Sequence, residues 1–229
     1  MKPKYLKPFV FIAGLVPLGR LAWKAYNSAL GANPIQVITW STGTWTLVFL
    51  MVTLSVTPLR QLTRQYWLIQ FRRMFGLFAF FYGCLHFTTY IWLDQFFDLH
   101  SVAKDVVKRP FITVGFTAFV LMIPLALTST QRAIRWLGKR WQRLHRLIYV
   151  TAIAGVVHYI WLVKKDIRAP VIYATILGVL LLYRVIVWTI AKRPVAPGND
   201  ATTSRMQGST AAAGYDRLAQ SETGAAVSS

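Results

Sequence analysis

Carboxylates are almost missing from this chain. Its 229 residues hold seven Asp and Glu against 26 Lys and Arg, a formal net charge of +19. None of the seven falls within an apolar run, which removes the usual material of a proton relay or cation carrier inside a membrane. Cysteine is reduced to one residue, Cys84. No intramolecular disulfide can form, and Cys84 reads as a small packing residue. Charge of either sign is scarce: 14% of residues are charged, against about 25% in a soluble domain. There is no long hydrophilic block that would make a separate catalytic domain, and no internal repeat stands out.

What remains is apolar, with 55% hydrophobic residues and a mean hydropathy of +0.44. Six windows meet the requirement of about 20 mostly apolar residues for a helix that crosses a bilayer: 8–26, 38–57, 73–93, 110–128, 144–163 and 170–190. The expected fold is all-α, an integral membrane bundle of six transmembrane helices over 1–193. Beyond it lies a small, polar, aperiodic tail over 194–229 that reads as disordered and cytoplasmic. The positive charge does not mark a nucleic-acid binder, because it sits at span ends and in alternate loops. Lys2, Lys4 and Lys7 open the chain. Arg60, Arg64, Arg72 and Arg73 follow the second span, and Arg132, Arg135, Lys139, Arg140, Arg143 and Arg146 follow the fourth. The first loop is uncharged, and the third offsets Lys104, Lys108 and Arg109 with Asp94, Asp98 and Asp105. This asymmetry puts both termini in the cytoplasm. The first span has the shape of a signal sequence, but no small-residue cleavage site follows it, so it reads as an uncleaved helix.

Punctuation along the chain is sparse. Asn33-Pro34 marks the entry to the second span and Thr57-Pro58 a stop. The third loop, 94–109, is the longest exterior connection, with His100 solvated among charged neighbours. In the fourth loop, TQRAIRWLGKRWQRLHR spaces basic residues between Trp136, Trp141 and aliphatics, as in an amphipathic helix lying at the membrane surface. The fourth span has no ionisable side chain and reads as packing. Arg184 is the one charge of the sixth, with a stem long enough to snorkel.

Three of the four histidines lie in or at the edge of spans: His86 in the third, His145 and His158 in the fifth. An imidazole in lipid is costly unless something engages it, and paired imidazoles on facing helices commonly hold a metal or haem iron. The third and fifth spans run in the same direction, so His86 and His158 should face each other towards the outer leaflet. With no Cys-x-x-Cys-His motif, a haem held there is noncovalent and b-type. His145 has no histidine opposite; Arg72 and Arg73 lie at its depth, and Arg72 precedes His86 by fourteen residues on nearly the same helical face. The thirteen residues from His145 to His158 rise by roughly 20 Å but leave the rings about 140° apart on an ideal helix. Two centres on this span therefore need a local change of winding, such as a kink near Gly155. Arg73, Arg143 and Arg146 stand where haem propionates or a flavin phosphate would end, and guanidinium recognises such anions well. The opposing interpretation is a small transporter or scaffold whose histidines only pack.

The segments FRRMFGLFAFFYGCLHFTTYIWLD, KRPFITVGFTAFVLMIPLALTS and WLGKRWQRLHRLIYVTAIAGVVHYIWLVK resemble the MsrQ haem-binding membrane subunits, which belong with the ferric-reductase-like and NADPH-oxidase transmembrane domains. The resemblance covers roughly residues 5–193. It implies one or two b-type haems ligated by His86, His145 and His158, with Arg72 standing where the oxidases carry a second histidine on the third helix. It further implies FMN as a cofactor, and quinol or a cytosolic flavin reductase as electron donor. The implied acceptor is MsrP, a periplasmic molybdopterin enzyme that reduces methionine sulfoxide in oxidised proteins. On this footing the chain is an electron-transfer subunit of the bacterial inner membrane that does not itself reduce the sulfoxide. A stand-alone ferric or cupric reductase is the alternative within the same chemistry.

Overall fold

The computed structural model describes residues 3–163 and 166–191. Lys2, the expected boundary at 193 and the tail beyond it lie outside the described residues. The chain divides into two compact units, 1–185 and 186–229; the second is described only over 186–191, which are helical.

Among the described residues every regular element is helical. The order is α1 Pro3–Tyr26, α2 Pro34–Thr63, α3 Ile69–Thr89, α4 Leu99–Lys108, α5 Pro110–Leu127, α6 Gln131–Leu137, α7 Lys139–Leu144, α8 Leu147–Leu162 and α9 Arg168–Ala191. A 3-10 turn, Tyr66–Leu68, leads into α3, and a π turn, Tyr90–Asp94, extends it. Six stretches are long and apolar enough to cross a membrane: Tyr5–Tyr26, Pro34–Thr63, Tyr66–Asp94, Pro110–Leu127, Lys139–Leu162 and Arg168–Ile190. The protein is an all-α, multi-pass membrane protein.

Between helices in lipid there is little hydrophobic drive, so association depends on close packing and on small residues that let backbones approach. Here α2 lies along α3 and α5 along α8, and the two pairs meet through α3 with α5 and α2 with α8. That order leaves α3 and α8 facing across a diagonal. Ala79 of α3 and Ala152 of α8 are both fully buried (0% exposed). Thr42, Thr46 and Thr53 turn their hydroxyls back to carbonyls of their own helix, which satisfies them inside the apolar bundle, whereas the buried hydroxyls of Thr57 and Thr151 have no partner among the described residues. An aromatic column ties α2 to α3, with Phe49 stacked on Phe78 at 5.2 Å and on Tyr82 at 5.4 Å. Tyr82 also anchors α1. Its hydroxyl donates to the Gly14 carbonyl at 2.9 Å and accepts from Leu18 N–H at 3.2 Å, bridging two main-chain groups one turn apart on α1.

Three local expectations change, and the third loop gains an element. The Thr57-Pro58 pair does not stop α2, which continues to Thr63 and ends at Arg64 in a left-handed conformation (φ 55°); one lost rung at Pro58 is tolerated in a long helix flanked by others. The third loop holds a ten-residue helix, which Asp98 caps by accepting from His100 N–H and Ser101 N–H. The hydrogen bond from the Ser101 hydroxyl holds that carboxyl below the usual aspartate range. His100 is exposed in its first turn. The basic segment of the fourth loop is two short helices, α6 and α7, broken at Gly138 with φ 50° and ψ −122°. The winding of the fifth span changes between α7 and α8, at His145-Arg146, and Gly155 lies inside an unbroken helix.

Candidate functional site

The diagonal between α3 and α8 is where the two inner histidines meet. His86 and His158 have ring centroids 6.3 Å apart and planes crossing at 73°. Each ring is fixed through Nδ1: His86 donates to the Thr39 carbonyl of α2 at 2.9 Å, and His158 to the Phe111 carbonyl of α5 at 2.7 Å. A ring whose Nδ1–H is given to a carbonyl is the neutral tautomer with a lone pair on Nε2, which is the form that binds a metal. No hydrogen bond among the described residues engages either Nε2.

The spacing fits one metal ion between two imidazoles. Two metal–nitrogen bonds of about 2 Å each, with the distance from each nitrogen back to its ring centre, fill the observed separation. The pair is not a site for a bare ion: no group of three or more His, Cys, Asp or Glu side chains that could hold a metal occurs among the described residues. Two axial imidazoles with nothing else suit a metal whose other positions are already filled by a macrocycle. The donor set therefore fits a haem and not a protein-only metal centre.

His145 lies elsewhere, at the basic end of the bundle. It follows α7, with its ring stacked on Trp141 at 3.9 Å and Nδ1 bonded to the Trp141 carbonyl at 3.2 Å. The Trp141 indole N–H in turn reaches the Thr128 carbonyl beyond α5 at 3.0 Å, so ring and stack are both fixed. Its Nε2 is buried and makes no well-aligned hydrogen bond among the described residues, although the Leu125 main chain is close enough to act on the ring. Arg72, half-buried on α3, is close enough for its charge to act on this imidazole, and Arg60, Arg184 and Tyr149 are within electrostatic reach of Arg72. The Arg184 guanidinium lies 4.9 Å from the centre of the Tyr149 ring, and Arg60 Nε is buried without a partner. A buried imidazole and three guanidinium groups gather here, and no carboxylate among the described residues acts on His145 or Arg72. That chemistry fits an anionic group.

The expected pair His86/His158 is thus together, and Arg72 lies beside His145 as its depth implies. Arg73, Arg143 and Arg146 are exposed and do not join the cluster. Sequence reasoning missed Arg60, Tyr149 and the two carbonyls that seat the histidines. A main-chain acceptor leaves no residue-type signal.

Comparison with known proteins bears on these features. The family described as "Ferric reductase like transmembrane component" matches residues 33–156, a range that includes His86 and His145 and ends just short of His158. A protein of Herminiimonas arsenicoxydans is 59% identical over 191 residues, covering 82% of this chain and 87% of its own. One from Azospira oryzae is 55% identical over 79% of this chain and 78% of its own, and one from Bordetella pertussis 52% identical over 80% and 90%. All three carry the name "Protein-methionine-sulfoxide reductase heme-binding subunit MsrQ". No solved structure matches the chain.

Proposed function

This chain belongs to the ferric reductase-like transmembrane family and to the MsrQ subunits within it, and from that premise we propose that it is a b-type haem protein carrying electrons across the bacterial inner membrane. The acceptor is the periplasmic molybdopterin reductase MsrP, which repairs methionine sulfoxide in oxidised proteins. The donor, quinol or a cytosolic flavin reductase, delivers at the basic end. The single observation that carries this reading is the His86–His158 pair, two imidazoles at the span of one shared metal ion with both Nδ1 atoms already engaged.

When bound, haem supplies an iron that accepts and releases one electron without making or breaking a bond to substrate. The chain's own residues do the rest. His86 and His158 would hold the haem iron. The Thr39 and Phe111 carbonyls keep both rings in the ligating tautomer and raise their basicity. Apolar α2, α3, α5 and α8 surround the pair and keep water from it. At the basic end, His145 offers a preset imidazole, and Arg72, with Arg60 and Arg184 nearby, offers positive charge to the propionates of a second haem or the phosphate of FMN, or N–H donors to the carbonyl oxygens of a quinone. Arginine stays protonated in proteins, so Arg72 serves as counter-charge there, not as an iron ligand. Arg73, Arg143 and Arg146, exposed at the same end, meet lipid headgroups or the phosphate and propionate groups of that cofactor. Both termini lie in the cytoplasm, and the polar tail beyond 193 takes no part in the redox core.

The test is reconstitution. Vesicles carrying the haem-loaded chain, with a reduced quinone or a flavin reductase as donor at the basic end, should pass electrons to MsrP added on the opposite face, with methionine sulfoxide consumed. Reduction of a ferric chelate at full rate, together with no transfer to MsrP, would instead make the chain a stand-alone metal reductase.

A further inference from the structure

Both imidazoles are seated by one arrangement that occurs twice. On α2, the Thr39 carbonyl accepts from His86 and Gly43 stands one turn further on. On α5, the Phe111 carbonyl accepts from His158 and Gly115 stands one turn further on. Carbonyl and histidine are 47 residues apart in both cases. All three members recur at one offset, 39 to 111, 43 to 115 and 86 to 158. The side chains at 39 and 111 are unlike, Thr and Phe, as expected where only the main chain is used.

The glycines have a geometric reason. In an α-helix the carbonyl of residue i points along the axis at the N–H of residue i+4. A ring that reaches this oxygen from the side must therefore lie against the Cα of residue i+4. A Cβ on Gly43 would stand 3.0 Å from both Nδ1 and Cε1 of His86; on Gly115 it would stand 2.6 Å from Nδ1 and 2.8 Å from Cε1 of His158. Glycine within a helix is otherwise a loss. At Gly178, by contrast, an added Cβ meets nothing within 4 Å.

We propose that Gly43 and Gly115 are positioning residues: they clear the flanks of α2 and α5 so that the Thr39 and Phe111 carbonyls can hold the two Nδ1–H groups and fix the ring planes at their observed crossing. The inference rests on the reading that His86 and His158 share one haem. Its consequence is that tautomer, ligand basicity and ring orientation are set by two glycines that touch no cofactor, through the hydrogen bond behind each ligand.

The experiment uses the full chain purified with its haem, carrying Gly115→Ala, Gly43→Ala or Gly155→Ala. Haem per polypeptide and the g-values of the low-spin electron paramagnetic resonance signal, which depend on the angle between the two imidazole planes, are measured. Gly155 lies on α8 one turn before His158, and a Cβ there meets only Leu47 Cδ1 at 3.6 Å, so it reports the general effect of an added methyl. Gly115→Ala must push the ring from the Phe111 oxygen, and loss of such a support weakens binding about 10-fold or more; added imidazole should then restore a low-spin signal. Gly43→Ala should keep its haem with shifted g-values, and Gly155→Ala should match the unaltered protein. Unchanged g-values and haem content in both Gly43→Ala and Gly115→Ala, or an equal loss in Gly155→Ala, would overturn the proposal. His86→Ala and His158→Ala, measured alongside, separate the two layers. A low-spin signal retained in either removes the shared haem itself, whereas its loss beside unaltered glycine variants removes only the role of the glycines.

Discussion

At the scale of single residues, the three intramembrane histidines differ in what engages them. His86 and His158 each give Nδ1 to a carbonyl of a neighbouring helix and meet at 6.3 Å; His145 is held within its own turn, with a buried Nε2 that makes no well-aligned hydrogen bond among the described residues. On the proposed function this makes His145 the entry point. Replacing His145 with Ala should spare the low-spin signal of the outer pair while slowing its reduction from the basic side, as stopped-flow reduction with a quinol or flavin reductase would measure. An outer haem reduced at the normal rate in that variant would remove the inner centre. The pairing of His86 with His158 was legible in the sequence, because parallel spans bring equal depths together. The carbonyls behind them and the association of Arg60 and Arg184 with Arg72 were not, since main-chain acceptors and contacts between distant helices leave no local pattern.

At the scale of elements, apolar length and turn chemistry predict the six spans and the capped start of α2, where Asn33 accepts from Gln36 N–H. They misjudge its end, because a proline inside a long membrane helix removes one rung without ending the helix. The helix break at His145-Arg146 places the two histidines, about 140° apart on one ideal helix, in separate helical segments. The site repeat at 39/43/86 and 111/115/158 escaped sequence reading because its members are one carbonyl, one glycine and one histidine spread over two helices. The attachment of α1 offers an independent check on packing. Tyr82→Phe removes a buried hydroxyl that bridges the Gly14 carbonyl and the Leu18 N–H, two groups one helical turn apart that can bond each other. The cost should be only about 1 kcal/mol, read as a small shift in thermal unfolding in detergent with the haem signal intact. A loss of several kcal/mol would mean that the hydroxyl organises more than α1.

At the scale of the whole molecule, electron transfer outward requires a fixed orientation. The basic residues flanking α2, α3, α6 and α7 argue that this end faces the cytoplasm. Reporter fusions after Val163 should therefore read periplasmic and fusions after Arg193 cytoplasmic, and the reverse pattern would exchange donor and acceptor sides. Composition was enough to establish an all-α membrane bundle, because few charges, no intramembrane carboxylate and six apolar runs leave no other fold class. Direction rests on loop charge alone, and no contact within the bundle encodes it.

The claim on which the rest depends is that His86 and His158 hold one iron between them. The most direct measurement is the low-spin haem spectrum, optical and paramagnetic, of His86→Ala and His158→Ala beside the unaltered protein. A bis-imidazole centre fails when either ligand is lost, so both variants should lose the same signal. Full retention in one and loss in the other would show that the two rings, 6.3 Å apart, do not share a metal.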